Sequence, residues 1–406
     1  MYIPGFFPMA SALLNRTLHS GLQTPVVEKV AGNLWDSANK SWELGVMAEA
    51  LTEYNWASYS VFGDAAFPPP DTLDNSSTLE DVLDIVNNVL AAKEPNTLTL
   101  FADESAGDPA SAFNFYHCSI SQACRVIPTA GSLGVAVLLA NWTRGDKSDN
   151  SYSTAAADQL SYLLDYAPKT DDGAISHRTD QVQLWADSVY MVPPFLAYYG
   201  ALQGGEEGAK LLQMAYDQIR LYRDALVDDG LWRHVIYGEW EDDTHWATGN
   251  GWAAAGMLRV LQTLNRTEQA GDFASQQADL ASWIRETLDA VWKYQTDNGT
   301  LLNVVDDSTS FADSAATALL ASVTYRMAAF DGDTSLNRAA NRALSLVESS
   351  MDDDGWLQNV VDPYTFSSRL PDGEHSPEAQ AFVLLLHSAW RDYAAQLKEL
   401  NARRSW

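Results

Sequence analysis

The sequence predicts an all-α protein built as a ring of helical hairpins. Three observations carry that expectation. Apolar residues recur at steps of three and four along most of the chain, a turn signal repeats at similar spacing, and strand-like alternation is confined to short segments.

Leu211, Ala215, Ile219, Tyr222 and Leu226 form one helical stripe, and Leu336, Ala340, Ala343, Leu344, Val347 and Met351 form another. Comparable helices are predicted at 36–56, 78–92, 130–142, 151–166, 181–203, 247–264, 271–294, 311–330 and 377–400. Alternation is left only to segments such as Trp232 to Tyr237 and Leu301 to Val305. The turn signals are Asp/Asn-Gly pairs ending at Gly173, Gly230, Gly299 and Gly355, spaced by 57, 69 and 56 residues. In each the glycine supplies a positive φ. A unit of that length holds two helices and a loop, and six or seven such units fill the chain. An irregular bundle whose turns coincide by chance is the alternative.

Of the 406 residues, 46% are hydrophobic, enough for a large core. No Pro/Gly/Ser-rich linker divides the chain, so one domain over 1–406 is expected. The longest apolar stretch, Leu133 to Trp142, falls short of the roughly 20 residues that span a bilayer. A net charge of −29 argues against nucleic acid and anionic membranes as partners. Fourteen Trp and 17 Tyr supply flat rings on which sugars pack, though some must be core, and a monomer is expected. Cys118 and Cys124 could close a small disulfide or remain free thiols, and no Cys/His spacing suggests a metal. Sequons begin at Asn15, Asn39, Asn75, Asn141, Asn265 and Asn298, which fits a secreted glycoprotein. The first residues lack a basic region and a continuous apolar run, so the expected signal peptide is absent from this chain.

Two segments could carry chemistry. In the first, Ser176-His177-Arg178 leads to Trp185-Ala186-Asp187 and then the apolar Val189-Tyr190-Met191. Asp187 therefore opens a helix that enters a core, where partial desolvation raises a carboxyl pKa and prepares a proton donor. Capping of that helix is the bland alternative. In the second, His234 precedes Trp246-Ala247-Thr248-Gly249-Asn250-Gly251-Trp252, two indoles around a close backbone approach. Core packing of the indoles and a surface position for His234 are the competing readings.

Together the segments resemble glycoside hydrolase families 88 and 105, the unsaturated glucuronyl and rhamnogalacturonyl hydrolases, most strongly the latter. The resemblance spans approximately residues 35–395, with its specific motifs between 173 and 252. It implies an (α/α)6 barrel, no cofactor and no metal. It also implies an oligosaccharide substrate ending in a uronic acid with a C4=C5 double bond. Asp187 matches the family's catalytic aspartate; His234, Trp246 and Trp252 match its substrate-binding residues. His177, Arg178, Thr248 and Asn250 are further candidates for the sugar pocket. Thr248 stands where the family usually has Arg, a bidentate partner for carboxylates, so Arg178 or Arg233 would have to compensate. The family's second aspartate, in its N-terminal half, has no acidic counterpart between Pro109 and Gly145, where His117 and Ser119 are the nearest polar substitutes.

A third segment, Arg369 to Glu378, precedes the last helix, and Arg369, His375, Ser376 and Glu378 are candidates to complete the pocket. A polar loop with Ser376 capping a helix that begins at Pro377 is the alternative. Two other functions stay open. One is a conventional glycosidase pairing Asp187 with Asp180, Glu239, Glu241, Asp242 or Asp313. The other is a glycan-binding protein without turnover.

Overall fold

The computed structural model describes residues 21–63, 67–70, 79–93, 97–100 and 128–404. His117, Ser119, Cys118, Cys124, Asn15 and Asn75 lie outside the described residues. Helices alternate between an outer and an inner position. The outer set is α1 (Thr24–Ser37), α3 (Glu80–Ala92), α5 (Ser151–Ser161), α8 (Gly205–Leu226), α10 (Ala274–Trp292) and α12 (Asn337–Ser349). Each buries one stripe, as α12 does with Ala340, Ala343, Leu344 and Val347.

The inner set is α2 (Ser41–Asn55), α4 (Gly134–Thr143), the short α6 (Ser188–Met191) running into α7 (Pro193–Gln203), α9 (Ala247–Arg266), α11 (Ser314–Asp331) and α13 (Pro377–Arg404). These helices are buried on nearly every face, α13 over its first half. In the ring, α2 touches α4, α4 touches α7, α7 touches α9, α9 touches α11, α11 touches α13, and α13 returns to α2. The closed double ring is the expected (α/α)6 barrel.

Two predicted helices change their bounds. The 36–56 stretch begins only at Ser41, as α2, and the unexpected α1 precedes it. The Glu43 carboxylate accepts the backbone N–H groups of Asn39 and Lys40, at 2.9 and 3.0 Å, and starts the new helix after α1 ends at Ser37. The 181–203 stretch holds a two-residue strand, β1 (Leu184–Trp185), before α6. Pro193 and Pro194 cannot continue α6, yet they suit the first turn of α7.

All four predicted turn glycines have positive φ, +98° at Gly173, +83° at Gly230, +100° at Gly299 and +85° at Gly355. Two residues after each, a backbone N–H is taken by a helix side chain. Ile175 donates to Gln218, Trp232 to Asn250, Leu301 to Thr317 and Leu357 to Gln380, at 2.8–3.0 Å. Each hairpin is thereby clamped to a helix by a side chain that satisfies a buried backbone N–H.

Opposite the helix starts, the barrel is closed by buried ions. Arg259 meets Glu49 at 3.0 Å and Glu53 at 2.5 Å; Arg326 meets Glu53 at 2.7 Å and Asp392 at 2.6 Å.

Candidate active site

Four helix starts of the inner ring converge on one cavity. Trp42 is the second residue of α2, Asp187 immediately precedes α6, Trp246 precedes α9, and Glu378 is the second residue of α13. The cavity is lined by these four with His177, Trp185, Met191, His234, Trp252, Pro363 and Phe366. The positive ends of the helix dipoles therefore face it.

Asp187 is held where α6 packs against α9. Gly256 of α9 makes that approach close: a Cβ there would lie 2.1 Å from the Val189 carbonyl oxygen. Burial raises the Asp187 pKa, and the neighbouring Asp242 charge adds to this against the opposing pull of His234. Its Oδ2 has no hydrogen-bond partner among the described residues and lies 3.6 Å from His234 Nε2, which has none either. That separation is too long for a hydrogen bond.

His234 is fully buried in an aromatic cage. Trp246, Phe366 and Trp185 have ring centroids 4.5, 4.6 and 5.3 Å from it. Its Nδ1 lies 2.9 Å from Asp242 Oδ2. Burial pulls the Asp242 pKa up, but the hydrogen bonds from His234 and Thr244 hold it below the usual value. An ionised Asp242 accepts a hydrogen bond from Nδ1–H, which turns Nε2 toward Asp187, the arrangement of an oriented acid–base pair. His177 stacks on Trp185 at 4.5 Å and meets Ser188 Oγ at 2.6 Å. Burial drives its pKa down to about 3, so it is neutral.

Of the residues expected in the pocket, Asp187, His177, His234, Trp246 and Trp252 line the cavity; Arg178, Thr248, Asn250, Arg369 and His375 do not. Asn250 is a fold residue: its amide binds both backbone groups of Trp232 and the Trp246 carbonyl, the clamp that Thr317 and Gln380 make in neighbouring hairpins. Thr248 is fully buried and gives its hydroxyl to Asp313 Oδ2 at 3.0 Å. Arg178 turns its Nε and Nη2 to Asp180, at 2.8 and 2.7 Å. Arg233 pairs with Asp228 at 2.8 Å, so neither arginine supplies the charge missing at Thr248. Arg369 is exposed above the Phe311 ring, and His375 is exposed and stacked on Trp356 at 4.2 Å.

Asp313 caps α11 through Ala315 N and is absent from the lining; burial lifts its pKa to about 6. Glu378, expected with Ser376 to help complete the pocket, does line the cavity, and Ser376 does not. Trp185 and Met191 flank Asp187 in the first segment, while Trp42, Pro363 and Phe366 come from segments that carry no local signal for it. Phe366, at φ +43°, adopts a backbone conformation rare for a bulky residue.

The sequence profile of Glycosyl Hydrolase Family 88 matches residues 132–366, more than half of the chain. The chain belongs to that family. An unsaturated rhamnogalacturonyl hydrolase of Bacillus subtilis is 23% identical over 242 residues, covering 56% of this Family 88 chain and 65% of the relative, just under two thirds of its length. Solved structures share the fold. A Salmonella enterica protein described as a possible member of the GH105 family superposes with a TM-score of 0.67 at 17% identity, covering 97% of this chain and 100% of the other. The unsaturated glucuronyl hydrolase of Bacillus sp. GL1 does so at 0.54 and 15%, covering 89% and 94%.

Proposed function

We propose that this Family 88 protein removes a 4,5-unsaturated uronic acid from the non-reducing end of rhamnogalacturonan-derived oligosaccharides. The observation that carries the reading is Asp187, a desolvated carboxyl at the mouth shared by Trp246 and Trp252. The double bond and the ring oxygen of such a sugar form a vinyl ether. Asp187 gives its proton to C4, and an oxocarbenium-like centre forms at C5. The resulting carboxylate takes a proton from water as the oxygen adds to C5. The hemiketal opens, C5 becomes a ketone, and the C1 hemiacetal so exposed releases the remaining oligosaccharide. The indole faces pack on the sugar ring, and the converging helix starts favour its negative charge.

The conventional glycosidase has less support from the carboxylates first considered. Asp180 is taken by Arg178, Asp242 by His234 and Asp313 by Thr248, while Glu239 and Glu241 are not on the cavity. The test is an assay on lyase-generated oligosaccharides, following the ultraviolet absorbance of the conjugated double bond. Its loss with release of the shortened saccharide is expected. Hydrolysis of saturated uronides alone would refute the proposal. We also propose secretion; the exposed Asn39, Asn265 and Asn298 sequons support it.

A further inference from the structure

Glu378 enters the cavity from α13, only 3% exposed. Its Oε2 accepts a hydrogen bond from Trp42 Nε1 at 3.0 Å, and no other hydrogen bond holds the carboxyl among the described residues. An indole N–H can only donate, so Oε2 acts as an acceptor and a proton on this carboxyl belongs on Oε1. Burial above all, and then the Asp187 charge, push the Glu378 pKa well above the usual carboxylate range. The charged groups that face it are Asp187, with His234 behind, Glu43 of α2 and Asp313 at the start of α11. Among the described residues no Lys or Arg lines the cavity. The groups these residues offer an anionic sugar there are neutral donors.

We propose that Glu378 is the specificity residue for the sugar carboxylate, its Oε1–H donating a hydrogen bond to the uronate anion while Trp42 holds Oε2. An O–H···O⁻ bond is charge-assisted and short, and it asks for no buried cation. This assignment rests on the uronyl hydrolase reading above. Asp187 remains the group that exchanges protons with C4 and water, and Glu378 keeps its own proton throughout.

The experiment compares wild type, Glu378→Gln and Glu378→Ala on a 4,5-unsaturated galacturonyl-rhamnose disaccharide and on its methyl ester. Wild type is expected to prefer the free acid. Glu378→Ala should raise KM for the acid by roughly ten- to a hundredfold, with kcat within a few-fold and the ester nearly unaffected. Glu378→Gln keeps a neutral donor and should keep the preference. The wild-type KM for the acid should rise on the alkaline side as the Glu378 proton leaves, whereas that of Glu378→Gln should stay flat. Circular dichroism and melting curves establish that both variants fold, and the Gln variant carries the test if the Ala variant does not.

Retention of the acid preference by folded Glu378→Ala would overturn the proposal. So would loss of kcat at unchanged KM in Glu378→Gln, which would mark Glu378 as a proton donor to the reaction. Failure of folded wild type to act on either disaccharide would instead refute the uronyl hydrolase reading, and this assignment with it.

Discussion

Replacing Asp187 by Asn keeps the side-chain volume and removes its capacity to carry a proton to carbon. A positioned general acid or base contributes roughly 10²- to 10⁴-fold to a rate. In the proposed reaction both the protonation of C4 and the deprotonation of water pass through Asp187, so a fall in kcat of about 10⁴ is expected, at the top of that range. KM should change little, because Trp246, Trp252, Trp42 and His177 still line the cavity. Stability supplies an independent check. The folded-state pKa of Asp187 is raised by burial, so its stabilising contribution is full below the unfolded carboxyl pKa and is lost as pH rises through the folded one. Asn carries no such penalty. The variant should therefore melt close to wild type near pH 4 and above it at neutral pH. The assay is loss of the double-bond absorbance across pH, with thermal melts on the same samples. A kcat within tenfold of wild type at every pH would refute the catalytic assignment.

Gly256→Ala should destabilise the protein by about 1–3 kcal/mol, because the new methyl meets the Val189 carbonyl two residues from Asp187. It should also lower kcat, as followed by urea denaturation and the same assay; a neutral effect on both would dispute the close α6–α9 packing. Glu53→Ala should cost about 3 kcal/mol by leaving Arg259 and Arg326 each one carboxylate short, with KM unchanged because the network lies at the far end of the barrel. Asp313→Asn should match wild type near pH 4 and exceed it above pH 6, by roughly 3 kcal/mol at most, since burial lifts the Asp313 pKa to about 6. Equal melting temperatures at pH 7 would contradict that assignment.

Much of the ring was legible because its causes are local. Helical periodicity needs only neighbours three and four apart, and an Asp-Gly turn needs only its own backbone, so the four positive-φ glycines appear where expected. Helix boundaries near Asn39 and Pro193 were harder, because a capping carboxylate and a proline break compete with a continuous apolar pattern. Asn250 shows how a motif misleads. Within Gly249-Asn250-Gly251 it reads as a pocket amide, and its clamp role emerges only when Thr317 and Gln380 are seen making the same bond.

From the sequence alone came the helical class, the repeat, and the contiguous segments that hold Asp187, His234 and the two tryptophans. Ring closure decided the rest. It sets Trp42 against Glu378 across 336 residues, brings Phe366 over His234, and turns Arg369 and His375 outward although they are chain neighbours of Glu378. The reason is geometric: a residue's helical face follows from nearby spacing, but which helix starts share a cavity depends on the first inner helix meeting the last.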